Sequence, residues 1–135
     1  MASAGVSDTY LNPLKGVVFN PVGEVWYKGI YYDLTEVSGT VAVAADTIVK
    51  AAVPSRTITV FSYDIQKGSA NSTVYFRNGV GGVQKGVKAY GINNVEKVAA
   101  SGAFCFRTTT NTALVLSTSG AQEVAYSFAY AELPL

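Results

Sequence analysis

From Gly16 onward the chain is a string of short apolar runs, five to ten residues each, cut by Gly, Asn, Ser and Pro. No stretch sustains the i, i+3, i+4, i+7 recurrence of an amphipathic helix, so the chain has to bury its apolar surface as strands. The one helix-tolerant stretch, Thr40 to Val53, begins Thr-Val-Ala-Val-Ala, reads equally well as a strand, and is ended by Pro54. Strands are expected near Val17–Phe19, Val25–Leu34, Thr40–Ala44, Thr47–Val53, Thr57–Gln66, Ser72–Arg77, Gly86–Tyr90, Val95–Ala99, Ala103–Arg107, Ala113–Ser117 and Glu123–Glu132. Many short strands with turn residues every eight to twelve positions predict an all-β, single-domain β-sandwich or jelly roll over residues 16–135. Residues 1–15, small, polar and interrupted by Pro13, predict a short N-terminal arm.

Alternation within the strands assigns their faces. In Glu123–Glu132, Val124, Tyr126, Phe128 and Tyr130 share one face, and Ala125, Ser127, Ala129 and Ala131 the other. The aromatic face is expected in the core; the small-residue face lets another sheet or chain approach closely. Val74 and Phe76 alternate against Thr73, Tyr75 and Arg77. In Thr57–Gln66 the phase slips between Ile58/Val60 and Phe61/Tyr63/Ile65, which predicts a bulge or bend near Val60–Phe61, or a strand buried on both sides. Asn78-Gly-Val-Gly-Gly82 has the chemistry of a hairpin turn, and no helix follows it to offer an N-terminus to a phosphate.

Composition narrows the function classes. Charged residues make up 14% against 49% hydrophobic, so intrinsic disorder is not expected and a surface extensively covered by partners is. A net charge of +1 leaves no polyanion footprint, so no nucleic-acid partner is expected. The chain has no histidine, which removes the commonest general base and metal ligand, and its one cysteine, Cys105, has no disulfide partner within the chain. Cys105, in Ala-Phe-Cys-Phe-Arg, is expected to be a small buried side chain with Phe104 and Phe106 on the opposite face. The acids are scattered; only Asp33 and Glu36 are close in sequence, and a solvated turn accounts for them. No enzyme activity, metal or cofactor is expected. No apolar run reaches the length of a membrane span, the first residues lack a signal-peptide pattern, and the Asn71-Ser-Thr73 sequon is taken as a chance match.

The densest aromatic tract is Trp26-Tyr-Lys-Gly-Ile-Tyr31-Tyr32. The adjacent Tyr31 and Tyr32 must face opposite ways, so at least one ring lies away from the core, where it packs as a rim, anchors an interface or stacks on a sugar. In the arm, Tyr10, Leu11 and Leu14 are the candidate anchors on a partner.

The segments Ile48-Val-Lys-Ala-Ala-Val-Pro-Ser-Arg-Thr-Ile-Thr-Val60, Ser72-Thr-Val-Tyr-Phe-Arg-Asn-Gly79, Gly102-Ala-Phe-Cys-Phe-Arg107, Asn111-Thr-Ala-Leu-Val-Leu-Ser-Thr-Ser-Gly120 and Val124-Ala-Tyr-Ser-Phe-Ala-Tyr-Ala131 together resemble small head-assembly proteins of tailed bacteriophages. The resemblance spans residues 48 to 132. It implies a jelly-roll or β-sandwich homotrimer that acts as a capsid decoration, or cement, protein. Such a protein is made in the host cytoplasm, sits on the capsid exterior of the virion, and bridges major capsid protein subunits without covalent chemistry. The alternative is a tail-tip or fibre head domain that binds a host-surface glycan through Trp26, Tyr31 or Tyr32.

Overall fold

The computed structural model describes residues 17–19, 23–67, 72–89, 94–100 and 103–134. Among them the regular structure is all strand: β1 Val17–Phe19, β2 Glu24–Tyr27, β3 Ile30–Asp33, β4 Thr35–Val41, β5 Asp46–Lys50, β6 Thr57–Lys67, β7 Val74–Asn78, β8 Gln84–Ala89, β9 Asn94–Val98, β10 Phe106–Arg107, β11 Leu114–Thr118 and β12 Val124–Leu133.

One main sheet runs β10-β6-β12-β4, with β9 also on the β6 edge, and the other runs β5-β11-β7-β8. Every pairing is antiparallel. The pairs nest: β4 with β12, β5 with β11, β6 with β9, β7 with β8. A ribbon folded once at the β7–β8 hairpin and wound across two sheets has this order, which is the connectivity of a jelly roll. The chain is thus an all-β single-domain sandwich, as its turn spacing predicts. Residues 1–15, and with them the arm, lie outside the described residues.

The nesting turns on the glycine-rich loop. Gly82 is obligatory there, because a Cβ would sit 1.8 Å from the Asn78 carbonyl oxygen. The loop is stapled onto the sheet by Asp46, whose carboxylate takes the Gly81 N–H at 2.8 Å and Arg77 Nη1 at 3.1 Å, while Arg77 Nε donates to the Gly82 carbonyl at 2.9 Å. Burial alone would raise the Asp46 carboxyl; the Gly81 N–H, Ser117 and the Arg77 guanidinium outweigh it and hold the group below its ordinary value.

Between the sheets lies the main core, with Ile58, Tyr63, Phe76, Leu114, Leu116 and Phe128 among its members. Val124, Phe128 and Tyr130 enter it from β12, with Tyr126 packed against it, as alternation requires. Gly39 makes room for Tyr126, whose hydroxyl lies 2.8 Å from where a Cβ would stand. The β6 phase slip is a bulge: Val60 pairs with Tyr130 and Ser62 with Ala129, so Phe61 has no opposite residue. The bulge returns Tyr63 and Ile65 to the face of Ile58 and Val60, and turns Phe61 to the other face. There Phe61 builds a second, smaller core with Val25, Ala131 and Leu133.

Three local expectations are corrected. Val25–Leu34 is not one strand but a hairpin. Lys28 and Gly29, at φ 50° and 85°, form a two-residue turn that needs both residues in the left-handed region. Thr35–Gly39, where the sequence suggested a solvated turn around Asp33 and Glu36, belongs to β4. As an edge strand with one solvated face it carries only Val37 and Val41 as apolar signals. Phe104 and Phe106 do not share a face in a strand, because β10 begins only at Phe106: Phe106 enters the core while Phe104 is exposed beside Arg107. Cys105 between them is half-buried; burial pushes its thiol up, and its Sγ donates to the Phe61 carbonyl at 3.4 Å. That is the environment of a packing group, not of an activated nucleophile.

Candidate functional site

Two surfaces stand out, and both follow from how β12 and β3 are placed. The first is the outer face of the β4-β12-β6-β9 sheet. Small residues on β12 leave it shallow: Ser127 lies between Ser38 and Asp64, and Ala129 between Glu36 and Ser62. The result is a groove of about 260 Å³ along Ser127 and Ala129. Asp64 directly opposes Glu96 across the β6–β9 pair. Like charges in that position destabilise a sheet by some tenths of a kcal/mol, up to about 1. The near side chain partnering Asp64 is the amide of Gln66, at 3.3 Å, which does not neutralise it. Val98, at the end of the same face, is 74% exposed.

The second surface is a cleft at the point where the strand carrying β3 and β4 changes layer. β4 pairs with β12 as far as Thr35–Tyr130. At Leu34 the chain leaves that ladder, its N–H donating to Gly23 O at 2.9 Å, and β3 packs with β2 over the second core. The wedge left between them has a volume of about 380 Å³. Tyr31, Tyr32 and Asp33 line it from β3, Tyr130 and Glu132 from β12, and Arg56 from the turn before β6. The Arg56 guanidinium lies over the Tyr32 ring, 5.9 Å from its centroid. Lys50 bonds Glu132 at 3.3 Å and lies over the Tyr130 ring. Burial would lower the Lys50 pKa, but Glu132 and Tyr130 outweigh it and hold the ammonium above its usual value.

Of the residues singled out in the sequence, Trp26 and Tyr31 are cross-strand partners on one face of the hairpin. Tyr32 pairs with Val25 on the opposite face and packs against the second core. The expected split of Tyr31 from Tyr32 is therefore observed, with Tyr31 the exposed ring. Tyr31 and Tyr32 meet at the cleft, and Trp26, half-buried, is not part of its lining. Tyr10, Leu11 and Leu14 lie outside the described residues. Sequence reasoning missed Arg56, Tyr130 and Glu132 as partners of Tyr31 and Tyr32. They come from distant strands, and only the nested pairing brings them together. Asp64 carried a signal that was available: it sits on the solvent phase of β6, between Tyr63 and Ile65.

No family model matches the sequence, and no curated protein matches it. Among solved structures the chain is similar to one in the cyanophage Pam1 capsid asymmetric unit, at 17% identity over 76% of this chain and 82% of that chain, with a TM-score of 0.35.

Proposed function

We propose that this chain is a capsid decoration protein of a tailed phage, a homotrimer that binds the exterior of the shell and clamps neighbouring major capsid protein subunits. The jelly roll by itself does not choose this role, since the same architecture serves capsid and lectin domains. The observation that carries the reading is the groove along Ser127 and Ala129. It is a broad sheet face that the described elements leave open, floored by side chains small enough for a second backbone to approach. The head-protein pattern of residues 48–132 supplies the context.

In this reading the groove joins the copies of the trimer. It receives a segment bearing Lys or Arg, which relieves the opposed Asp64 and Glu96 carboxylates. The remaining surface binds the shell, and three linked copies engage it together. Multivalency then converts weak single contacts into firm attachment. The protein acts by contact and needs no catalytic group, cofactor, nucleic acid or membrane. Light scattering at micromolar concentration tests the assembly: three times 14.2 kDa supports it, and a stable monomer counts against it. Binding to expanded capsids that lack the protein tests the role.

A further inference from the structure

We propose that the cleft between β3 and β12 binds an uncharged sugar, a pyranose ring at the end of a glycan. The inference does not depend on the decoration role, because the cleft and the groove share no residue.

Three features carry it. The first is shape. At about 380 Å³ the cleft lies at the small end of the range for ligand sites, roughly 300–1,000 Å³, which suits one or two sugar rings. It is open on one side, as the end of a chain requires.

The second is the mixture of groups. Tyr31, 39% exposed, lines the cleft from the β2–β3 hairpin. A pyranose has an apolar C–H face that lies well on such a ring, and its edge carries hydroxyls that both donate and accept. Asp33 and Glu132 are acceptors for a pair of neighbouring hydroxyls. Arg56 is a donor: among the described residues its guanidinium has no carboxylate within ion-pair distance, and it lies over the Tyr32 ring. A guanidinium over a ring face keeps its N–H donors at its edge, where a ligand can reach them.

The third is charge. In the lining Arg56 offsets one of the carboxylates of Asp33 and Glu132, and Lys50, outside it, pairs with Glu132, so the cleft and its immediate partner are neutral overall. A phosphate or a sialic acid would meet two carboxylates, and a cation would meet Arg56. A polyhydroxyl ligand meets donors and acceptors with no net repulsion.

The test uses the full chain, labelled and applied to an array that carries neutral and sialylated glycans. The best neutral binder is then titrated as its methyl glycoside, with the tyrosine resonances followed by NMR. Binding of at least one neutral glycan is expected. Tyr31→Ala and Arg56→Ala should weaken it about tenfold or more, while Tyr31→Phe, which keeps the ring, and Lys88→Ala on the far sheet should leave it intact. Should Arg56→Ala fail to fold, Tyr31→Ala decides, because Tyr31 lies outside both cores. Absence of binding to every neutral glycan, a preference for the sialylated ones, or binding unchanged in Tyr31→Ala would each overturn the proposal.

Discussion

The Tyr63 hydroxyl accepts the Val87 N–H at 2.9 Å, reaching from β6 in one sheet to β8 in the other. Gly86 makes the approach possible. It sits at φ +72°, and a Cβ there would lie 2.8 Å from the same hydroxyl and 3.2 Å from the Phe106 ring. The Tyr63 ring meets Phe76 edge-on at 5.6 Å and Phe106 at 5.4 Å, so this contact orders the aromatic centre of the core. Tyr63→Phe should cost about 1–2 kcal/mol, the loss of one partly buried hydrogen bond. Gly86→Ala should cost more, since it adds both strain at positive φ and a clash. Urea denaturation of the two variants checks the order. Burial pushes the Tyr63 phenol above its ordinary value, more than the Val87 bond lowers it. Above about pH 10 the unfolded chain therefore loses a proton that the folded one keeps, and stability should fall as pH rises. Tyr63→Phe should remove that part of the fall.

Asp46 gives the opposite pH dependence. Its folded pKa lies below the unfolded value, so its contribution is present above about pH 4 and is lost as pH falls through the folded value. Asp46→Asn should cost about 1.5–3 kcal/mol at pH 7, as charged hydrogen bonds do. The gap between wild type and variant should close toward pH 3. A gap that stays constant from pH 7 to pH 3 would show that the carboxylate charge does not hold the β7–β8 loop.

Phe76 and Phe128 are 0% and 2% exposed and meet edge-on at 5.8 Å. Either one changed to Ala should cost about 3–5 kcal/mol. Tyr75→Ala, on the solvent side of the same β7 strand beneath Arg77 and Lys88, should cost far less. Equal denaturation midpoints for the Phe76 and Tyr75 variants would contradict the strand's register.

Much of this core is legible in the sequence because strand alternation is a strong local signal. The Val124-x-Tyr-x-Phe-x-Tyr130 series and the phase slip at Val60–Phe61 give the β12 faces and the β6 bulge. The β2–β3 hairpin is hidden because Lys28, not Asn or Gly, takes the first left-handed position of its turn. The first half of β4 is hidden because an exposed edge strand needs few apolar residues. The aromatic ring of the cleft, Tyr31, is legible as a ring with nowhere to go. Its companions Arg56 and Glu132 are not, because their proximity is a product of the nested topology and of no local pattern.

The groove makes a separable prediction. Ser127 belongs to neither core, so Ser127→Trp fills the groove from its solvent side, and the chain should fold but sediment as a monomer. Asp64→Asn should leave the isolated fold as stable or slightly more so, by some tenths of a kcal/mol, because it removes the like-charge pair with Glu96. The same change should weaken self-association, measured by sedimentation equilibrium across protein concentration. Unchanged association in both variants would move the interface to another face.

The proposed decoration role is tested most directly by mixing the purified protein with expanded capsids of a tailed phage whose genome carries this sequence, assembled without it. Bound copies are counted after sedimentation, and the temperature of shell disruption is followed. Saturable binding in multiples of three, with a higher disruption temperature, is the predicted result. Capsids that sediment without the protein, or that bind it and break at an unchanged temperature, would contradict the role.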